Sequence, residues 1–385
     1  MRNVVILGST GSIGRNALDI VDRNSEKLKV VGLAAHSNHE ELARQIDRFQ
    51  PTHIALADKQ SLAKFKNNPI ASKVTILEDT GFSNALEVIS ALDTADVVLN
   101  AIVGIAGLRA TAAALVSGKV VALANKESMV AAGPILNRLA VEHKGAIIPV
   151  DSEHSALYQC LLSGKLTEVK RLILTGSGGP FLKRANLDDV TVEEALRHPN
   201  WKMGPKITID SATMMNKALE IIEAAYLFDL PPEKIQVVIH PQSIVHSMVE
   251  FQDGSVIAQM SNPDMRLPIQ YALLYPDRAP LDVCNLDLTR ALSLDFQPPD
   301  MNKFRGLKLA YQALQEGGIA PAVLNAANEV AVKAFLDGKI KFTRIYDIIE
   351  RTLEDIEIGD IPDLNTVYRA NMWAADVAED FVYMD

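Results

Sequence analysis

Asp151-Ser152-Glu153 places two carboxylates two positions apart, directly after the apolar run Ala146-Ile147-Ile148-Pro149-Val150. At a strand end, side chains at that spacing point to the same side. Converging carboxylates are costly unless a cation or a proton neutralises them. Oxygen donors suit a hard ion such as Mg²⁺ or Mn²⁺, which leaves waters or substrate oxygens to complete its shell. The alternative for these residues is a solvated acidic turn or a helix start, since Asp-Ser-Glu is also good capping chemistry. A second group follows. Ile207-Thr208-Ile209 reads as a short strand, and Asp210-Ser211-Ala212-Thr213 as the opening of a helix that presents Asn216, Lys217 and Glu220. Spacings of three and four put those three on one helix face. An amide, an ammonium and a carboxylate beside Ser211 suit a phosphate next to a metal; the alternative is an ordinary Lys–Glu surface pair.

Between these groups lies Thr175-Gly176-Ser177-Gly178-Gly179-Pro180-Phe181, a glycine-rich loop with a hydroxyl at its centre. Such a loop can offer backbone N–H groups to an anion. His198-Pro199-Asn200-Trp201-Lys202-Met203-Gly204 has no helical or strand period and combines an imidazole with a large aromatic. It reads as a lid near 197–205 that excludes water on closing, or as a connection anchored by a buried Trp. His240 and His246 extend the supply of imidazoles along an apolar stretch, where a core histidine with satisfied hydrogen bonds is the commoner outcome.

Groups this scattered need a scaffold, and the N-terminal half supplies one. Val4-Val5-Ile6-Leu7 is a continuous β-type run, followed by Gly8-Ser9-Thr10-Gly11-Ser12-Ile13-Gly14 and the helical pattern Asn16–Val21. Glycines in a strand–turn–helix unit serve a sharp turn and a close approach to a pyrophosphate resting on the helix N-terminus. The spacing here is G-x-x-G-x-x-G, a departure from the commoner G-x-G-x-x-G. A second strand, Lys29–Ala35, ends in His36-Ser37-Asn38 without an Asp or Glu. An acidic residue there would bind a ribose hydroxyl and repel a 2′-phosphate, so NADPH is the expected cofactor. Further apolar runs at 53–57, 95–100, 120–124 and 146–150 alternate with helical patterns, which builds a doubly wound parallel sheet. Ligands of such sheets lie off the strand C-termini, placing Ala101–Gly104 and Asn125-Lys126-Glu127-Ser128 along the cofactor crevice.

The expected fold class is α/β: an N-terminal Rossmann-like doubly wound parallel sheet over 1–150, a central α+β catalytic domain over 151–275 and a C-terminal helical bundle over 312–385. Prolines within 276–311 mark a linker, and Asn325–Val332 and Ile345–Glu350 are amphipathic at helical period. The 385 residues carry 38 Lys+Arg against 48 Asp+Glu, a net charge of −10 without a basic block, which argues against nucleic acid as a partner. Cys160 and Cys284 are far apart with no C-x-x-C spacing, so neither a disulfide framework nor a cysteine zinc site is implied. The N-terminal apolar run is too short for a signal peptide, and the apolar stretch Ala101–Ala124 is broken by Arg109 and Lys119. A cytoplasmic protein without a membrane partner is expected.

Seven segments, in chain order, closely resemble the 1-deoxy-D-xylulose 5-phosphate reductoisomerase family: Gly8–Gly14, Ala124–Ser128, Val150–His154, Gly176–Phe181, His198–Trp201, Asp210–Lys217 and Asn325–Glu329. The resemblance covers nearly the whole chain. It implies conversion of 1-deoxy-D-xylulose 5-phosphate to 2-C-methyl-D-erythritol 4-phosphate by a retro-aldol/aldol isomerisation and a reduction, dependent on NADPH and on Mn²⁺ or Mg²⁺. By the same resemblance Asp151, Glu153 and Glu220 are the metal ligands, and Ser177, Ser211, Asn216 and Lys217 hold the phosphate. Lys126 and Ser152 contact substrate oxygens, His198 and Trp201 belong to the lid, and His246 and Met265 lie near substrate and nicotinamide. Glu153, Lys126 and His198 are the catalytic candidates, with Glu153 as the proton acceptor. Cofactor contacts fall on Gly8, Thr10, Gly11, Ser12, Ile13, Ala35, His36, Ser37, Asn38, Ala101, Asn125, Glu127, Gly204 and Met265. Where relatives often carry Gly-Lys-Asn or Gly-Arg-Asn, this chain has His36-Ser37-Asn38, which leaves His36 and Ser37 to hydrogen-bond a 2′-phosphate. A homodimer is implied by the resemblance alone. Two other readings share the first domain: a simpler NADP-linked reductase of the aspartate-semialdehyde or homoserine type, and a regulatory protein that senses NADP without turnover. Neither needs the carboxylates or the phosphate cradle, so metal-dependent turnover separates all three.

Overall fold

A strand buried on both faces must lie inside a sheet that is covered on both sides. Val4, Val5, Ile6 and Leu7 are all 0% exposed, and in the computed structural model they form the C-terminal part of β1 (Arg2–Leu7). The structure describes residues 1–80, 84–198, 201, 203–289 and 292–384. After β1 come α1 (Ser12–Arg23), β2 (Leu28–Ala35), α2 (His39–Phe49), β3 (His53–Leu56), α3 (Lys59–Lys66), β4 (Thr75–Leu77), α4 (Ala85–Ser90) and β5 (Val97–Asn100). Then follow α5 (Leu108–Val116), β6 (Val120–Leu123), α6 (Lys126–Glu142), β7 (Ala146–Pro149) and α7 (Ser152–Leu161). The seven strands form one parallel sheet in the order β4-β3-β2-β1-β5-β6-β7. The direction of winding reverses at β1, so the crevice between the C-terminal ends of β1 and β5 is the place for a ligand. The short edge strand β4, which no periodicity announced, completes the sheet.

The remainder runs β8 (Val169–Gly176), α8 (Val192–Ala195), α9 (Pro205–Ala212), α10 (Met215–Phe228), β9 (Ile235–Ile239), β10 (Val245–Phe251), β11 (Val256–Met260) and α11 (Arg266–Leu274). It closes with α12 (Gly306–Glu316), α13 (Ala320–Leu336), α14 (Arg344–Asp355) and α15 (Leu364–Tyr383). The chain divides into two compact units. The first comprises Met1–Ser128, Leu136–Ser155 and Asp264–Asp282, and the second Met129–Ile135, Ala156–Pro263 and Val283–Asp385. This division differs from the one drawn from composition. Residues 264–282 return to the first unit because α11 packs on α1, with Arg266 paired to Asp19 at 3.5 Å and Asn24 donating to Gln270 at 3.2 Å. The C-terminal helices share one core with the second unit instead of standing apart, and α12 begins inside the stretch expected as linker.

In the second unit a four-stranded sheet, ordered β11-β10-β8-β9, packs beside α10. Phe342 joins Phe181 (5.3 Å between ring centroids) to Phe335 of α13 (5.5 Å), so the loop after β8 and the C-terminal helices share apolar area. The expected strand at Ile207–Ile209 is instead part of helix α9. The β-branched run is overridden because Pro205 pre-sets the first helical turn and Thr208, Ile209 and Ala212 bury one helical face. Cys160 is a free, buried thiol that burial pushes up to about 11. Among the described residues no helix is long and apolar enough to cross a membrane.

Candidate active site

In the first unit, Gly8 turns the chain out of β1 at φ 78°. A Cβ there would lie 2.6 Å from the Ala101 carbonyl oxygen, so the β1 turn and the segment after β5 touch backbone to backbone. Gly14 is tighter still: a Cβ would stand 2.3 Å from the Gly8 oxygen. Helix α1 therefore starts flush against the turn. Gly11 takes its N-cap position, with no side chain capping the first N–H groups, which leaves them for an anion. Thr10, Ser12 and Ile13 line the same turn, and Ser9 is fully buried. At the end of β2, Ala35 is buried while His36, Ser37 and Asn38 are exposed. Asn38 also caps α2, accepting from the Glu41 N–H at 3.1 Å. Asn100 and Asn125 shape the other wall. Asn100 donates to the Gly107 carbonyl (2.9 Å) and Thr111 (2.7 Å), and Asn125 donates to the Ile102 and Gly104 carbonyls (2.8 and 2.9 Å) and to Glu127 (3.0 Å). Asn100 escaped the sequence reading, although a buried amide closing an apolar strand was a usable signal. Met265 stands at the start of α11, within this unit.

The carboxylates of the first unit sit at the start of α7 and not on a strand end, because β7 stops at Pro149. A helix N-terminus tolerates negative charge, and Asp151 accepts from the Ser152 N–H at 2.9 Å. Lys126, 7% exposed, pairs with Asp151 at 2.7 Å. Ser152 donates its hydroxyl to Glu153. One oxygen of Asp151 and one of Glu153 lie within 4.8 Å of each other. At that separation two carboxylates favour a shared cation, and the hard oxygen donors fit a divalent one.

In the second unit, α10 presents the expected face. Asn216 and Lys217 both donate to Glu220, which is 0% exposed, so both oxygens of that buried carboxylate are engaged. Lys217 fits beneath the glycine loop, where a Cβ on Gly176 would meet its Cε at 3.0 Å. Ser211 lies in the last turn of α9, not in a helix-opening cap, and its carbonyl oxygen would be 2.6 Å from a Cβ on Gly179. Gly179 has φ 67°, its N–H donates to the Ser177 hydroxyl at 3.2 Å, and that hydroxyl is 3.3 Å from Nε2 of His198. The other ring nitrogen, Nδ1, accepts from the Trp201 N–H at 3.0 Å. Nδ1 is therefore the unprotonated nitrogen of a neutral ring, and burial holds the His198 pKa below the ordinary histidine value. Pro199, Asn200 and Lys202 of the expected lid lie outside the described residues. Gly204 is exposed just before α9. His246 is buried, its Nε2 2.9 Å from the Ser261 hydroxyl. His240 is structural: its Nδ1–H donates to the Asp295 carbonyl (2.9 Å), its Nε2 accepts from the Ile244 N–H (3.2 Å), and it stacks on Phe296.

A doubly wound sheet with an uncapped glycine turn at its switch point defines a dinucleotide-binding protein. Residues 4–133 match the 1-deoxy-D-xylulose 5-phosphate reductoisomerase family, residues 147–228 its C-terminal domain, and residues 260–377 the DXP reductoisomerase C-terminal domain. The chain is 50% identical over 384 residues to the 1-deoxy-D-xylulose 5-phosphate reductoisomerase of Chlorobium chlorochromatii, covering 99% of this chain and 100% of that one. It is 48% identical over the same length to the enzyme of Chlorobaculum tepidum, again covering 99% and 100%. A solved structure of the Zymomonas mobilis enzyme in complex with NADPH superposes with a TM-score of 0.93 at 42% identity over all of both chains. A reductoisomerase in complex with NADPH, fosmidomycin and magnesium gives 0.94 at 40% identity, covering 99% of this chain and 98% of that one. The chain belongs to the 1-deoxy-D-xylulose 5-phosphate reductoisomerase family.

Proposed function

We propose that Asp151, Glu153 and Glu220 are the ligands of one divalent cation in the NADPH- and metal-dependent conversion of 1-deoxy-D-xylulose 5-phosphate to 2-C-methyl-D-erythritol 4-phosphate. The observation that carries the assignment is the approach of Asp151 and Glu153 to within 4.8 Å beside the buried Lys126. A divalent cation held by these carboxylates would supply a Lewis acid for the carbonyl and neighbouring hydroxyl oxygens of a ketose, and NADPH would supply the hydride. The rest of the work falls to the protein. Glu153 accepts a hydroxyl proton, and the Ser152 hydroxyl that donates to it orients the carboxylate. Lys126 neutralises Asp151 and faces substrate oxygens. Ser177, Ser211, Asn216 and Lys217 hold the phosphate, and this remote binding energy keeps the reacting carbons in register. In that state Asn216 and Lys217 exchange part of their hold on Glu220 for the phosphate. His198 and Trp201 close over the substrate, and His246 and Met265 border the nicotinamide. The α1 N-terminus takes the pyrophosphate, and His36 and Ser37 take the 2′-phosphate.

The same reading includes a homodimer built on β11. It is an edge of the second sheet, it carries Val256 and Ile257 at 49% and 39% exposure, and an unpaired apolar edge is a template for another strand.

The assignment is tested by NADPH oxidation with 1-deoxy-D-xylulose 5-phosphate, with and without Mg²⁺ or Mn²⁺, on wild type and Glu153→Gln. Turnover requires the ion, and the variant loses on the order of 100-fold or more in kcat while NADPH binding, followed by fluorescence, is unchanged. A Glu153→Gln enzyme with wild-type turnover and metal response would overturn the ligand assignment.

A further inference from the structure

Asp210 is 1% exposed in the last turn of α9, next to Ser211. Its partners are Lys206, one turn earlier on the same helix, at 2.9 Å, and the Asn328 amide of α13, at 2.8 Å. The Lys206 pair is internal to α9 and says nothing about where α9 sits. The bond from Asn328 is the link between elements, and it spans 118 positions of sequence. Asn328 is itself 0% exposed, and its Oδ1 meets no donor. An orphaned buried carbonyl is destabilising, so the Asn328 amide gives away on one side part of what its bond to Asp210 gains on the other. This arrangement is poorly explained as a stabiliser and well explained as a positioning device.

What it positions follows directly in the chain. The Ser211 carbonyl is seated against Gly179 of the glycine loop. The Thr213 carbonyl accepts from the Tyr346 hydroxyl of α14 at 2.8 Å. Met214 takes a left-handed φ of 57°, a conformation that is strained for a non-glycine residue and persists only where its surroundings hold it. Helix α10 then begins, with Asn216 and Lys217 in its first turn. Asn328 therefore ties down the start of a relay that runs from Asp210 through Ser211 and the Met214 turn to α10.

We infer that Asn328 is a positioning residue for the substrate's anionic group, acting through Asp210 on Ser211 and the start of α10. The inference rests on the proposed phosphate site and adds a residue to its control. The test is a double-mutant cycle of Asn328→Leu and Ser211→Ala on the full-length enzyme with Mg²⁺, measuring KM for 1-deoxy-D-xylulose 5-phosphate, kcat, NADPH binding and Tm. Asn328→Leu raises KM about tenfold with kcat changed less than about threefold and NADPH binding intact, and in the Ser211→Ala background it raises KM less than about threefold further. Asn328→Ala, which removes the amide without adding bulk, gives the same pattern and covers failure of the leucine variant to fold. Additive effects on KM, or a lowered Tm with KM unchanged, would overturn the inference while leaving the phosphate site standing. An unchanged KM in Ser211→Ala alone would overturn the phosphate-site reading and the inference with it.

Discussion

The His198 imidazole accepts a backbone N–H only while Nδ1 is unprotonated, and burial favours that neutral form. Because the folded pKa lies below the ordinary value of about 6.5, an unfolded chain takes the proton first as pH falls. The stabilisation from this ring is thus complete above about pH 6.5 and is lost as pH falls through the lower folded value. The expected outcome is a KM for substrate that rises on acidification below about pH 6.5, a slope that His198→Gln flattens in the same assay. A variant with the wild-type slope would assign the change to the substrate's own phosphate. At this scale the sequence was informative where chemistry is local. Asn216, Lys217 and Glu220 meet as their spacing foretold. The bonds from Asn328 to Asp210 and from His240 to the Asp295 carbonyl join residues far apart along the chain, and no local pattern encodes them.

Among the elements, the strand–turn–helix at β1 and α1 was the most legible, because glycine is required there for reasons that survive in isolation: a left-handed turn at Gly8 and a backbone contact at Gly14. Gly14→Ala tests this. A Cβ 2.3 Å from a carbonyl oxygen must push α1 off the turn, so NADPH affinity falls by about tenfold or more and the protein loses roughly 1–3 kcal/mol, read by fluorescence titration and by denaturant unfolding. Unaltered NADPH affinity would mean that the helix start does not serve the pyrophosphate. Helix α9 was the least legible element. Ile-Thr-Ile has β character by itself, and Pro205 at the first turn together with burial of Thr208, Ile209 and Ala212 on one face makes it helical.

For the whole molecule, the proposed assembly is tested at the β11 edge. Ile257→Lys places a charge on that edge, a common device against edge pairing, and light scattering is expected to show the wild-type dimer give way to monomer with the fold intact. A monomeric wild type would remove the edge from consideration. The parallel sheet with its glycine turn and the shared face of Asn216, Lys217 and Glu220 were legible in the chain alone, because alternation, turn chemistry and short spacings act within a few residues. The tertiary structure decided which distant segments join which unit. It returned 264–282 to α1, merged the C-terminal helices with the second core, and brought Asn328 to Asp210. Those outcomes depend on which apolar faces bury one another, and burial between remote segments leaves no periodic trace in the chain.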